Sequence, residues 1–406
     1  MKEYVNLKRF ENPYITGIVL TLITFAFTCI YWPVWGTLSK LFIGMFASSG
    51  LSTVSAKLQN AYYKVFAETT FFWIAISGWV WCTLIFGNHG KYKITKKQPW
   101  AGLYYFAIAV CSGIGGFLIL HGTLGIWFKT FNMSVLLSPS NAEEVHLAIE
   151  GLEASNFYVL PVIICQIPLI SLFEKFPWRG NIKQPYESVG AMMSGTVIAL
   201  FVWLAVFVPS FLKFKIGTHD VISGHPFGSW PAILAFCQGF IFWFLLPVEG
   251  MEGQTYKGLG NKQPYKGFAG LIAAFVIGGF VWPRLIKAVA APFFPSVNPW
   301  VVSASVELTM VIFMLLTHHL FDDAFFKKVK NIKARVWSRF ALWVVGGFIL
   351  GILWLFSWKI FPFGGNNLGL GFPVMGPLAG QFAFLMAFLY CNTFFDKWPM
   401  IKQKIQ

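Results

Sequence analysis

Five polar side chains interrupt stretches otherwise built from Phe, Leu, Ile, Val and Ala: Glu68, Gln166, Gln238, Glu307 and Gln381. Each follows an aromatic residue or pair (Tyr62 and Tyr63, Phe157 and Tyr158, Trp230, Trp300, Phe372) by a similar helical distance. On a helix this spacing sets all five about 10–14 Å below the aromatic level. An ionised carboxylate is costly in hydrocarbon, so Glu68 and Glu307 suit proton- or cation-responsive roles. The three glutamines either line the same layer or tie helices together through side-chain hydrogen bonds, each worth about 1 kcal/mol.

Other residues carry less chemistry. His318 and His319 precede Asp322 and Asp323 in Thr-His-His-Leu-Phe-Asp-Asp, but Cys-Asn-Thr-Phe-Phe-Asp-Lys (Cys391 to Lys397) repeats part of that pattern as architecture. Adjacent histidines on a helix point about 100° apart and rarely ligate one metal ion. His121 is the one mid-chain haem candidate, and no second helix offers a matching axial ligand. The six cysteines (Cys29, Cys82, Cys111, Cys165, Cys237, Cys391) all fall in apolar stretches and form neither a disulfide framework nor a zinc spacing. Gly-Ile-Gly-Gly at 113–116 follows no strand, so it is not a dinucleotide loop. Glu249 and Glu252 are expected in solvent, with gating of an inner exit as the alternative. No catalytic constellation is readable, and no motif names a cofactor.

The elements that must hold the polar layer announce themselves by repetition. Asn-Pro-Tyr at Pro13, Gln-Pro-Trp at Pro99, Gln-Pro-Tyr at Pro185 and Pro264, and a degraded Arg-Val-Trp at Val336 each open a long apolar stretch. They recur every 72 to 86 residues, the length of two membrane crossings with their loops. The predicted architecture is an all-α polytopic membrane protein of ten helices in five hairpin units, 12–97, 98–183, 184–262, 263–334 and 335–406. The helices are expected near 14–36, 61–86, 99–127, 157–174, 186–211, 230–247, 265–290, 300–321, 337–361 and 373–394. Charged residues make up only 12% of the chain, against about 25% in soluble domains. The first apolar run is expected to be retained as helix 1. Glycines 113, 115, 116, 278, 279, 346, 347 and 351 are expected at packing seams, and Pro161, Pro168, Pro231, Pro283 and Pro377 at local breaks.

Of the 31 lysines and arginines, 22 fall on the face holding both termini, including Lys91, Lys93, Lys96 and Lys97, Lys175 and Arg179, and the run Lys327 to Arg339. The positive-inside rule makes that face cytoplasmic and places the chain in a cytoplasmic (inner) membrane. On the opposite face Lys40, Lys129, Lys213, Arg284, Lys287 and Lys359 are expected to snorkel, or to ring the outer mouth and attract an anion or an acidic partner. The outer connection 130–156, capped by Ser140 or Asn141, is expected to hold a short amphipathic surface helix, with a similar segment at 38–60. Nucleic acid is excluded as a partner for want of a soluble module. Two functions fit. One is a transporter for a small organic or anionic solute, possible H+ or Na+ coupling residing in the polar layer. The other is a membrane anchor subunit of a redox or other complex, binding a quinone or lipid-like carrier and docking a partner on its outer face.

Overall fold

The computed structural model describes residues 4–47, 49–88, 96–207, 215–216, 219–220, 230–255, 257–259, 262–363 and 376–405. Lys91, Lys93, Lys213 and Phe372 lie outside these residues. Among the described residues nine helices are long and apolar enough to cross a membrane: α1 (Pro13–Phe46), α2 (Ala56–Ile85), α3 (Trp100–Leu124), α4 (Ala142–Ser171), α5 (Tyr186–Val206), α6 (Pro231–Glu249), α7 (Tyr265–Phe293), α8 (Pro299–His319) and α9 (Ile332–Ile360). Ten such helices were expected. The tenth segment is helical, as α10 (Gly376–Thr393), but it is short and carries Gly376, Gly380, Gln381 and Asn392, so it falls below the nine in apolarity.

Polar side chains set the helix starts. Asn12, Ser55, Asn141, Asn298 and Asn331 each accept from a backbone N–H of the first turn of α1, α2, α4, α8 and α9. Pro99, Pro185 and Pro264 instead occupy the cap position of α3, α5 and α7. In α3 the preceding Gln98 supplies the acceptor, its Oε1 taking the Gly102 N–H at 3.1 Å. The fifth unit departs from the motif: α9 starts at Asn331, so Val336 lies inside the helix. The expected surface helix in 130–156 is also corrected. Asn141 Oδ1 accepts from the Glu144 N–H (3.0 Å) while the Glu144 carboxylate accepts from the Ser140 N–H (2.9 Å), and the helix runs on unbroken as the first half of α4, with Val145, Ala148 and Leu152 fully buried.

Burial sorts the helices into two layers. In α2, α4, α6 and α8 two-thirds or more of the apolar window is buried, whereas in α1, α3, α5, α7 and α9 it is two-fifths or less. The even helices therefore form an inner ring. Each packs on the next in order, and α10 returns to α2, where Phe382 meets Phe72 at 5.1 Å and the Tyr390 hydroxyl donates to Ala75 O at 2.7 Å.

One turn recurs below every inner helix. Gly87–Asn88, Glu174–Lys175, Glu252–Gly253, Asp322–Asp323 and Asp396–Lys397 all have φ between 47° and 72°. Among the described residues Gly180 alone shares that conformation. It costs a non-glycine residue about 1–2 kcal/mol, so the turn must be held by its surroundings. The residue before each pair is aromatic in four of the five (Phe86, Phe173, Phe321, Phe395), and three of those rings fill space that an outer helix leaves by having glycine. A Cβ on Gly267, Gly17 or Gly102 would stand 2.4, 2.5 or 2.3 Å from Phe173, Phe321 or Phe395. Polar contacts complete the docking: Lys266 bonds Glu174 (2.6 Å), Lys8 bonds Asp322 (2.6 Å), and Gln98 donates to Asp396 (3.1 Å). By these contacts the inner ends of α4, α8 and α10 hold the starts of α7, α1 and α3. Likewise α2 holds α5, where Ser188 donates to Ile85 O, and α6 holds α9. Finally β1 (Tyr4–Lys8) pairs antiparallel with β2 (Ile401–Ile405), which puts both chain ends on the same face as these turns.

Candidate functional site

All five residues of the predicted layer lie on inner helices and are buried, from 0% exposure for Gln166, Gln238 and Glu307 to 2% for Glu68 and 4% for Gln381. Two of the glutamines cross-link helices. Gln166 accepts from the Trp81 indole (2.8 Å) and donates to Thr196 (3.2 Å), joining α2, α4 and α5. Gln381 accepts from Ser305 Oγ (2.9 Å) and donates to Thr309 Oγ1 (2.6 Å), joining α10 to α8. Glu68 is enclosed in α2, where α1 and α4 pack.

Gln238 and Glu307 differ. Neither side-chain atom of Gln238 has a hydrogen-bond partner, and Glu307 Oε2 has none either. The two residues sit on α6 and α8, which share an extensive interface, and the Glu307 carboxyl reaches the backbone at Gly239. Ser303 Oγ lies 3.0 Å from Glu307 Oε1 and 2.8 Å from Pro283 O. That hydroxyl has one hydrogen for two acceptors, so both contacts are satisfied only when Glu307 carries a proton and donates to Ser303. Leaving a buried amide and a carboxyl oxygen unpaired costs about 1–3 kcal/mol each. The Ser/Thr partners were not anticipated, although Ser303, Ser305, Glu307 and Thr309 alternate along an otherwise apolar helix and so carried a signal.

Phe72, Leu160, Ile163, Leu234 and Phe382, from α2, α4, α6 and α10, surround a void of about 20 Å³, room for one water molecule, beside the unpartnered Asn156 Oδ1. The larger cavities lie between outer helices: about 770 Å³ between α3 and α5, and about 790 Å³ between α5 and α7.

Below the ring, Glu249 and Glu252 are ion-paired, contrary to the expectation of solvent. Arg335 and Arg339 both bond Glu252, Arg339 continues to Asp323 (3.1 Å), and His318 bridges Asp323 (2.9 Å) and Glu249 (3.0 Å). His318 is thus engaged with carboxylates, His319 packs edge-on against its ring, and among the described residues no group of three or more His, Cys, Asp or Glu is placed to hold a metal ion. His121 is fully buried, with Nε2 2.6 Å from Ser155 Oγ. On the outer face Lys40, Arg284, Lys287 and Lys359 each lie over an aromatic ring, closest for Lys287 over Trp300 at 3.8 Å, and Lys129 pairs with Glu144 at 3.7 Å.

The Arg335 hydrogen bond holds the Glu252 carboxyl below its ordinary value of 4.5; partial burial opposes it, and Arg339 adds to the lowering. For Asp322 burial raises the pKa, but bonds from Lys397 and Lys8 outweigh it and leave the group below 3.8. A depressed carboxylate stabilises the fold above its unfolded pKa, and that stability is lost as pH falls through the folded pKa. Thermal unfolding in detergent should therefore be insensitive to these groups above about pH 5, weaken progressively below it, and weaken less steeply in Glu252→Gln.

Comparison of the chain with protein-family profiles, curated proteins and solved structures yields no match.

Proposed function

We propose that this chain is a transporter of the cytoplasmic membrane for a small organic solute, with the Glu307–Gln238 pair as its H+- or cation-responsive group. The carrying observation is the set of three buried polar atoms on these two residues that lack partners: a proton or small cation would satisfy the two oxygens, Glu307 Oε2 and Gln238 Oε1, and a water would accept from the Gln238 amide. The five-unit organisation belongs to the same proposal, supported by the recurrence of the left-handed turn below each inner helix. The charge bias supports a cytoplasmic position for that face and for both termini. An anionic solute has less support, because five of the cations on that face, Lys40, Lys129, Arg284, Lys287 and Lys359, are engaged with rings or with Glu144. Passage between α2 and α10 would require Phe72 and Phe382, in contact at 5.1 Å, to part. Glu68, Gln166 and Gln381 would carry the remainder of the layer, the two glutamines as cross-links.

The test needs no substrate. A site that binds Na+ or a proton in the folded state raises stability by mass action, about 2.7 kcal/mol at a hundredfold excess over Kd. Melting of the purified protein should respond to Na+ or to pH above 5, and Glu307→Gln should fold normally yet lose that response. An unchanged response in Glu307→Gln would remove the ion site. A second function, a membrane subunit handling a lipid-like carrier, is favoured by the two large cavities on the outer layer, each within the range of small-molecule sites.

A further inference from the structure

The two large cavities occupy corresponding positions, each roofed by consecutive outer helices and floored by the inner pair between them, yet their chemistry differs. The α5–α7 cleft is lined by aliphatic side chains and phenylalanines, with Cys165 its one heteroatom-bearing side chain. Any acyl chain would fill it. The α3–α5 cleft has walls of Trp73, Trp81, Tyr105 and Tyr158 and includes Ser112, Thr196 and Asn88. Its mouth lies on the bundle circumference, where the lining residue Ile119 is 72% exposed.

The polar groups are available. Thr196 Oγ1 accepts from Gln166, which leaves its own hydrogen uncommitted, and the nearest partner of Ser112 Oγ is the Cys82 sulfur at 3.8 Å. Asn88 Oδ1 is buried without a partner. Ser112 and Thr196 stand 12 and 10 residues into their helices, about 15–18 Å along the axis, near the middle of a core about 30 Å thick. Between the indole wall and the bilayer, α3 exposes bare backbone. A Cβ on Gly116 would strike Trp81 at 2.4 Å, whereas one on Gly115 would meet nothing within 4 Å and would project into the cleft. Gly115 is thus no packing glycine, unlike its neighbours Gly113 and Gly116.

We propose that the α3–α5 cleft binds a lipophilic molecule with a flat, carbonyl-bearing ring, of the quinone class, which enters sideways from the bilayer. The ring lies over Gly115 against the Trp73 and Trp81 wall, its oxygens accept from Ser112 and Thr196, and its tail leaves between α3 and α5. Gln166 acts as a positioning residue, since it fixes both Trp81 and Thr196. This site deepens the carrier-binding function and is independent of Glu307.

The test is equilibrium binding of a short-chain benzoquinone to the protein in lipid nanodiscs, with protein-free nanodiscs as the blank. Saturable binding is expected, weaker by about tenfold or more in Gly115→Leu, whose added side chain occupies the ring site, and by about 2–10-fold in Ser112→Ala or Thr196→Val, the loss of one hydrogen bond. Glu307→Gln should bind normally, so failure of the ion site and of this one are told apart. An excess of decanol, a chain without a ring, should not displace the quinone. Binding no greater than the blank, wild-type affinity in a folded Gly115→Leu, or full displacement by decanol would each overturn the proposal, the last marking a general acyl site.

Discussion

Arg339→Leu should deplete folded protein more than any other single replacement of a charged residue. The side chain is 7% exposed and gives Nη1 to Glu252 and to Gly250 O (3.1 Å) and Nη2 to Asp323 (3.1 Å). Asp323 already has one oxygen without a partner, and it sits in a left-handed turn that its bonds must hold. Removing the guanidinium leaves Asp323 to His318 and Glu252 to Arg335, and costs up to about 3–5 kcal/mol out of a total that rarely exceeds about 15. Lysine offers a point charge in place of a fork, so Arg339→Lys should fall between. Denaturant unfolding in detergent measures the order. The double variant Arg339→Leu with Asp323→Asn should recover part of the loss, because one of those carboxylate charges is gone. A loss below about 1 kcal/mol for Arg339→Leu would mean that the cluster behaves as exposed surface pairs do.

Gly239→Ala should be among the most damaging small changes within the membrane. A Cβ there would stand 2.2 Å from the Gly278 carbonyl oxygen, and backbone cannot swing aside as a side chain can. Helices α6 and α7 must separate, which disturbs the shared wall of Gln238 and the Trp243–Trp282 contact at 5.6 Å. Overpacking costs about 1–3 kcal/mol where side chains yield, and more is expected here. Gly115→Ala on α3 is the control. With open space around it, the added methyl should be neutral or stabilise by up to about 1 kcal/mol through helix propensity. Melting temperatures of the two variants should therefore move in opposite directions, or at least differ by several degrees.

What the sequence disclosed follows from which forces act locally. Apolar runs of membrane length announce helices, and a Glu or Gln within one must turn inward, so the burial of the layer was legible. The outer end of α4 was not, because Glu143, Glu144, Glu150 and Glu153 make it look like a surface helix while the buried Val145, Ala148 and Leu152 occupy its other face. Arg339 read as a topology signal, since its partners Glu252 and Asp323 come from other helices. Phe-Asp-Asp and Phe-Asp-Lys betrayed two of the inner turns, but Phe-Gly-Asn and Met-Glu-Gly share their backbone conformation and few of their letters. The tenth helix was read as an apolar stretch like the other nine, and in apolarity it is the weakest.

The ring also sets an order of events during synthesis. Helix α1 enters the membrane first, yet Tyr14 bonds to Ala324, 310 residues later, and Tyr31 to Ala383, 352 residues later. At about 5–20 residues per second, α1, held until then by α2, waits about 15–70 s for α8 and α10. It is suited to waiting, because Thr21, Thr24 and Thr28 each donate to a carbonyl one turn back in the same helix and expose no unmet hydroxyl to lipid. A ribosome that stalls before α10 leaves α1 without its Tyr31 contact and β1 without its ladder. Such a chain would offer a membrane protease its first helix as the loose end.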